Sequence, residues 1–306
     1  MKHPPYHLRS NKAVDRYLFV ELLKKIFEGG PNSSEKYTYV GFGGPFLEDI
    51  KVAEHYFPEM KFVSLERDEE TIKRQRFHKF CRRIRLMHKS DEQFTNSLTE
   101  GTLLSLWFDF LGCEPRNIAT FADAVRKSGN WSILRITLNA SMPRDEGKAN
   151  FIRDFQQLLP VDYEDYFETQ EKFPILLQRI VHAATTPLIG SNYQFQILNA
   201  SSYRDGSRML TITGLKCPVT EWKQIKRIFS KWRFFTRTWS QAPESINVPD
   251  LSIQERMHLA SLLPTSSKNP AKHLSRRLGY SIGSEDSLKN YAAFCRYFPV
   301  FSRLAF

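Results

Sequence analysis

The sequence predicts an α/β fold, a mostly parallel, doubly wound sheet that closes on an antiparallel β-hairpin, with a small helical appendage at the C-terminal end. Three observations predict it. Residues 37–67 read as strand, glycine turn, helix and strand. Strand-like apolar runs then alternate with helical segments as far as residue 139. Finally, two β-rich runs flank Asp205-Gly206, a dipeptide that favours a tight hairpin turn.

The chain is organised around the stretch from Tyr37 to Arg67. A buried strand over Tyr37 to Val40 delivers the backbone to Gly41 and Gly43, where missing β-carbons let a ligand approach the main chain. The following helix then aims its N-terminal N–H groups at the same place. A carboxylate at the tip of the neighbouring strand can accept both hydroxyls of a ribose, and Glu66, 25 residues after Gly41, stands there. A glycine turn alone is equally an ordinary tight turn, so the weight falls on its context and on the acid. The third glycine of a dinucleotide fingerprint would fall at Phe46, which counts against NAD.

These residues resemble a known family. Val40-Gly41-Phe42-Gly43-Gly44 with Ser64-Leu65-Glu66 looks like motifs I and II of class I S-adenosylmethionine-dependent methyltransferases, particularly an O-methyltransferase-like group. The order of elements extends the likeness over residues 37–213, with only the two motifs specific at residue level. It implies a Rossmann-like sheet and S-adenosylmethionine as cofactor, with Gly41, Gly43 and Gly44 against the methionine part and Glu66 on the ribose.

Composition narrows the setting. A chain of 306 residues accommodates one α/β domain plus a smaller appendage. The expected division is an N-terminal helical arm (1–36), the main domain (37–241) with an insertion around 145–190, and a helical C-terminal region (250–306). No run reaches the roughly 20 apolar residues that span a bilayer, and the N-terminus lacks a charged-then-apolar leader, so a cytoplasmic protein is expected. The four cysteines are scattered without a Cys-x-x-Cys pair, and the histidines show no ligand spacing beyond His3 and His7, so neither disulfides nor a metal site is expected. A net charge of +11 favours a polyanionic partner such as RNA or DNA.

Along the chain, His3-Pro4-Pro5-Tyr6 contains the letters of a Pro-Pro-Tyr core, but it precedes any strand and reads as an extended entry segment. Val14, Leu18, Leu22 and Ile26 recur every four residues and predict an amphipathic helix ending at Gly29-Gly30-Pro31. At its start, Asn11 is a candidate cap. Arg9, Asn11, Lys12 and Arg16 are candidates for a segment closing over a cofactor, or else a solvated helix start. After Glu66, a helix over 68–80 and a strand over 84–87 carry eight basic residues between Lys73 and Lys89, a density that fits a phosphate backbone or a solvated helix face.

Asp91 follows that strand, where the fold meets the adenine; it is equally placed to cap the next helix. Asp109 ends a nearly all-apolar strand, at the crevice where doubly wound sheets bind ligands. There it can orient the substrate, act as a base or fix the cofactor amine, unless it serves as a cap or a structural ion pair. A helix over 115–128 leads to a strand over 131–139 whose tip, Asn139, is a candidate substrate contact. Trp222 to Trp239 reads as one amphipathic helix with Trp222, Ile225, Phe229 and Trp232 on its apolar face. Its interleaved cations suit single-stranded nucleic acid, or simply surround a stripe docked on the core. Residues 242–249 read as a linker, and the tail contains a Ser252/Glu255 capping box and a helix before Gly279.

The reading is a methyltransferase acting on an anionic substrate, with nucleic acid one candidate. The alternative is a non-catalytic protein of the same fold that contacts nucleic acid or a partner protein. Oligomeric state stays open.

Overall fold

The computed structural model describes residues 9–188 and 192–298. The His3-Pro4-Pro5-Tyr6 segment and the end of the tail lie outside them. The chain divides into two compact units, the larger comprising Val20–Ser202 and Ser207–Glu244, the smaller the described parts of Met1–Phe19, Tyr203–Gly206 and Ser245–Phe306.

Eight strands form one sheet: β1 (Thr38–Gly41), β2 (Lys61–Glu66), β3 (Ile84–His88), β4 (Leu104–Asp109), β5 (Ile133–Asn139), β6 (Tyr193–Asp205), β7 (Ser207–Pro218) and β8 (Glu244–Ile246). Their order is β3-β2-β1-β4-β5-β7-β6-β8. β1 to β5 run parallel, and β7 pairs antiparallel with β5 from Ile133↔Leu215 to Asn139↔Met209. This is the Rossmann-like sheet closing on an antiparallel hairpin that the sequence predicts. Gly206 turns the hairpin at φ 78°, a left-handed conformation that glycine adopts without strain. The hairpin strands run up to that turn, so Ser201 to Arg204 are strand.

Eleven α-helices are described: α1 (Ser10–Gly29), α2 (Glu48–Tyr56), α3 (Glu69–His78), α4 (Asp91–Asn96), α5 (Pro115–Lys127), α6 (Asp145–Phe155), α7 (Phe173–Thr185), α8 (Trp222–Phe229), α9 (Ile253–Ser261), α10 (Pro270–Leu278) and α11 (Glu285–Phe294). Local chemistry accounts for many of their ends. Pro115 opens α5, where its missing N–H costs nothing, and Arg126 and Lys127 sit at the negative end of its dipole. Asp68 caps α3 by accepting from the Thr71 N–H at 2.7 Å, a bond that holds its carboxyl below the usual range. Ser252 and Glu255 form the expected capping box at α9, and Gly279 ends α10 in the left-handed region.

The two faces of the central strands differ. Leu106 and Phe108 of β4, Leu134, Ile136 and Leu138 of β5, and Leu210 and Ile212 of β7 pack with Phe121 and Val125 of α5 and Leu177 and Ile180 of α7. Residues of opposite parity are largely polar yet buried. Trp107 Nε1 donates to Thr137 Oγ1 at 2.9 Å, Thr137 meets Thr211 at 3.2 Å, and the fully buried Arg135 donates to Thr213 at 3.1 Å. The Arg135 guanidinium also lies 4.3 Å from the Trp107 ring centroid.

Two expectations are corrected. The helix beginning at Trp222 stops at Phe229, and both the N–H and the hydroxyl of Ser230 donate to the Arg227 carbonyl there. Trp232, Phe234 and Trp239 are then buried by the irregular chain that follows, so these rings are not open to nucleic-acid bases. The segment expected as a linker contains the short strand β8. In the insertion, Phe151, Phe155, Phe167 and Phe173 form an aromatic cluster, while Asp162 pairs with Arg179 at 2.6 Å.

His182 of α7 stacks on Trp239 with centroids 4.8 Å apart and planes 16° from parallel, and burial pushes its pKa below the ordinary 6.5. Below the ordinary value the unfolded chain therefore binds more protons, so the stability contributed by neutral His182 is complete above that pH and lost as pH falls. The urea-unfolding midpoint is expected to drop between about pH 7 and about pH 5 by less in His182→Phe than in the unsubstituted protein.

Candidate active site

β1 lies between β2 and β4, so the chain's winding direction reverses across β1 and β4, and a crevice opens beyond their carboxyl ends. A cavity of about 330 Å³ occupies that place, at the small end of the usual range for small-molecule sites. Glu66 from β2, Asp91 from the start of α4 and Asp109 from the end of β4 all line it, with Phe42, Leu65 and Phe110 supplying apolar wall. Arg67, Lys89 and Arg116 stand at its edges.

Backbone placement explains each contribution. Glu66 Oε1 accepts the Asp68 N–H at 2.8 Å, which fixes the carboxylate at the point where β2 passes into α3. Ser90, not Asp91, caps α4: its hydroxyl accepts from the Gln93 N–H at 3.1 Å, and Gln93 Oε1 accepts from the Ser90 N–H at 3.0 Å. Asp91 is thereby released from capping and presented to the cavity. Phe42 stacks on Phe108 at 5.4 Å and meets Phe110 edge-on at 5.6 Å, giving the site a rigid aromatic floor.

The glycine turn is held from beneath. The Gly43 N–H donates to Ser64 Oγ at 3.2 Å, Ser64 donates to Gln75 Oε1 at 3.1 Å, and Gln75 Nε2 donates to the Gly44 carbonyl at 2.9 Å. Ser64 and Gln75 are fully buried. A Cβ on Gly43 would lie 2.5 Å from both Leu47 Cδ2 and Ser64 Oγ, and one on Gly41 would lie 3.2 Å from the Trp107 carbonyl. A side chain at 43 would force Leu47 and Ser64 to shift, one at 41 would be tight against the Trp107 carbonyl, and Gly44 turns at φ 54°. Of this loop, Phe42 lines the cavity; the three glycines and the first turn of α2 do not.

The sequence matches, over residues 4–306, the model of a protein family described as "Putative O-methyltransferase". This chain belongs to that family. The fold and family are those of S-adenosylmethionine-dependent methyltransferases, which implies S-adenosylmethionine as the methyl donor. Among solved structures, the chain is similar to the plantazolicin methyltransferase BamL in complex with a triazolic desmethylPZN analog and SAH (10% identity, 68% of this chain and 85% of that one, TM-score 0.45). It is also similar to a mutant form of the 16S rRNA (adenine(1408)-N(1))-methyltransferase of Catenulisporales acidiphilia (12% identity, 67% and 92%, TM-score 0.38). A third likeness is to an O-methyltransferase described as putative from Klebsiella pneumoniae (12% identity, 70% and 84%, TM-score 0.40). No curated protein sequence matches the chain.

In this methyltransferase-family chain Asn139 is not among the residues that line the cavity, and Arg9, Asn11, Lys12 and Arg16 belong to the smaller unit. Asn139 ends β5, but its Oδ1 accepts the Ser141 N–H at 2.9 Å and closes a local turn. Arg9 pairs with Asp205 at 2.6 Å. Asn11 lies inside the first turn of α1 rather than capping it; its amide donates to the Arg204 carbonyl at 3.3 Å and accepts from the Val248 N–H at 2.9 Å. These bonds tie the start of α1 to the hairpin tip and to the segment after β8, all within the smaller unit. Lys12 and Arg16 are buried. Cys113, near the cavity, has its thiol pushed up to about 12 by burial and by Glu114, so it stays protonated at neutral pH. Among the described residues no cluster of His, Cys, Asp and Glu could hold a metal, and no helix is long and apolar enough to cross a membrane.

Sequence reasoning missed Ser64 and Gln75. A serine inside the apolar run Phe62-Val63-Ser64-Leu65 was the available signal. Ser64→Ala and Gln75→Leu each leave buried polar groups unsatisfied, so each is expected to lower unfolding free energy by about 1–3 kcal/mol in urea titrations. The double variant should lose less than the sum, because each single change already orphans the other residue.

Proposed function

We propose that the protein transfers the methyl group of S-adenosylmethionine to an oxygen or nitrogen of an anionic acceptor, with nucleic acid as the acceptor class. The observation that carries this reading is the convergence of Glu66, Asp91 and Asp109 on one crevice at the sheet's switch point. The donor set fits the cofactor: carboxylates for a ribose diol and an exocyclic amine, beside apolar walls for a flat ring system. When bound, the cofactor supplies an electrophilic methyl group on a sulfonium.

The chain's own residues do the rest by binding and alignment. Glu66, oriented by the Asp68 N–H, accepts from the ribose hydroxyls. Asp91, freed by the Ser90 cap, accepts from the adenine amine. Asp109, the last residue of β4, faces the acceptor side, where it orients the nucleophile and takes up its proton. The Phe42–Phe108–Phe110 stack excludes water from this edge. Asn139, engaged in its own turn, stays outside the constellation. The basic residues of 73–89 recruit the polyanion; those of 222–239 are solvent-facing cations around a buried aromatic stripe and add attraction without stacking.

Calorimetric titration with S-adenosylhomocysteine tests the cofactor half. Glu66→Ala should weaken binding by about ten- to a hundredfold, as for lost hydrogen bonds to a charged group. Asp109→Asn should leave that affinity nearly unchanged and slow methyl transfer to an RNA pool by about 10²- to 10⁴-fold. Absence of S-adenosylhomocysteine binding would refute the reading. Binding without methyl transfer to any nucleic acid pool would favour the non-catalytic alternative.

A further inference from the structure

The outward side of α3 carries a feature that the cleft does not use. Ile72 and Gln75 are buried, whereas Lys73, Arg74, Arg76 and Phe77 are exposed, followed by Lys79 and Phe80. Phe77 is 85% exposed and Phe80 43%. The rings form part of a strip. Phe46, from the loop after the glycine turn, meets His78 edge-on at 5.0 Å, and His78 meets Phe77 at 5.1 Å. The Arg74 guanidinium lies 5.1 Å from the Phe46 centroid, and Lys51 Nζ 5.9 Å from that of Phe80.

Charge accounting separates this surface from an ordinary solvated helix. Lys73 pairs with Glu69 and Glu70, and Arg83 with Glu54. Arg74, Arg76, Lys79, Arg82 and Arg85 make no ion pair among the described residues. Solubility requires cations but not a bare phenylalanine among them, and an exposed ring in an uncompensated basic field matches a ligand with both phosphates and flat apolar faces. A membrane-binding helix lays a broad apolar face into lipid, which α3 lacks. A second copy docking the same face would set cation against cation. A duplex keeps its base faces stacked inside, whereas a single strand offers them.

We propose that the outward face of α3 and the segment that follows it form a stacking platform for single-stranded nucleic acid, with a base lying on Phe77 while Arg74 and Arg76 of the helix and Lys79 and Arg82 beyond it engage phosphates. This inference rests on the acceptor class proposed above and adds which form of nucleic acid is gripped, and where.

Fluorescence anisotropy with a labelled oligouridylate of about 20 nucleotides provides the test, since that length exceeds a typical single-strand site. Phe77→Ala should weaken binding by about five- to a hundredfold while leaving the salt dependence unchanged, and Phe77→Trp should retain it. Arg76→Gln should reduce the slope of log K against log salt by about 0.7. S-adenosylhomocysteine affinity should be unaffected in all three. Unchanged oligouridylate binding in Phe77→Ala, a duplex binding as tightly as the single strand, or anionic vesicles binding where oligouridylate does not, would each overturn the platform. If S-adenosylhomocysteine still binds in that event, the methyltransferase reading stands. A platform that behaves as expected on a protein unable to bind S-adenosylhomocysteine would instead remove the cofactor reading.

Discussion

The close approach of Gly43 to Ser64 governs the arrangement around it. Parallel pairing sets Gly41 opposite Ser64, so the chain leaving β1 must cross directly over the side chain that β2 presents there. With a Cβ at 43 only 2.5 Å from that hydroxyl, any larger residue would displace the Ser64 and Leu47 side chains or the loop itself. The same proximity gives the Gly43 N–H its partner. A hydroxyl and an amide sealed at this depth would be costly unless fully bonded, and Gln75 completes the circuit from α3. One relay therefore fixes the turn, the strand tip that carries Glu66 and the rotation of α3. Once Gln75 faces inward, Phe77 lies on the opposite side of the helix with Arg74 and Arg76 flanking, all three exposed.

The sheet divides its labour between faces. On its apolar face Leu106, Phe108, Leu134 and Ile136 pack against the helices α5 and α7, burial that stabilises the fold. The opposite face carries Trp107, Arg135, Thr137, Thr211 and Thr213 in hydrogen bonds and ring contacts across β4, β5 and β7. A buried guanidinium adds less stability than a hydrocarbon of the same volume, but it constrains which side chains can lie opposite it. Here it restricts the register of β4, β5 and β7. Asp109 and Asn139 at the strand tips inherit that register.

Much of the core fold is legible in the sequence because its punctuation is local. Asp205-Gly206, the Ser252/Glu255 box, Pro115 and Gly279 each act through their own backbone, and the structure has them in those roles. The cavity's three acids are legible for a related reason: each sits just past an apolar strand or at its last residue. What escapes is whatever depends on distant partners. Ser64 and Gln75 meet across a strand and a helix, and nothing in either neighbourhood reveals the other. At Ser90-Asp91 two good caps stand side by side, and only the Gln93 side chain decides between them. Beyond Phe229 the aromatic spacing still fits a helix, yet burial of Trp232, Phe234 and Trp239 does not require one, and tertiary packing overrides the period.

On the proposed reading, the distribution of charge also divides the work. A sulfonium cofactor is cationic, and the carboxylates of Glu66, Asp91, Asp109 and Glu114 attract it, an attraction that Arg67, Lys89 and Arg116 at the crevice's edges moderate. Those same carboxylates repel phosphate, so a nucleic acid drawn into the crevice by its backbone would be opposed by the site itself. Cations placed outside, along α3, resolve the conflict: they hold the polyanion by its phosphates at the protein surface, leaving a nucleoside edge to reach toward Asp109. Screening at physiological salt confines each field to about 8 Å in exposed regions, so the acidic interior and the basic exterior can act side by side without cancelling. A chain with a net charge of +11 can in this way keep carboxylates grouped in the crevice where the reaction needs them.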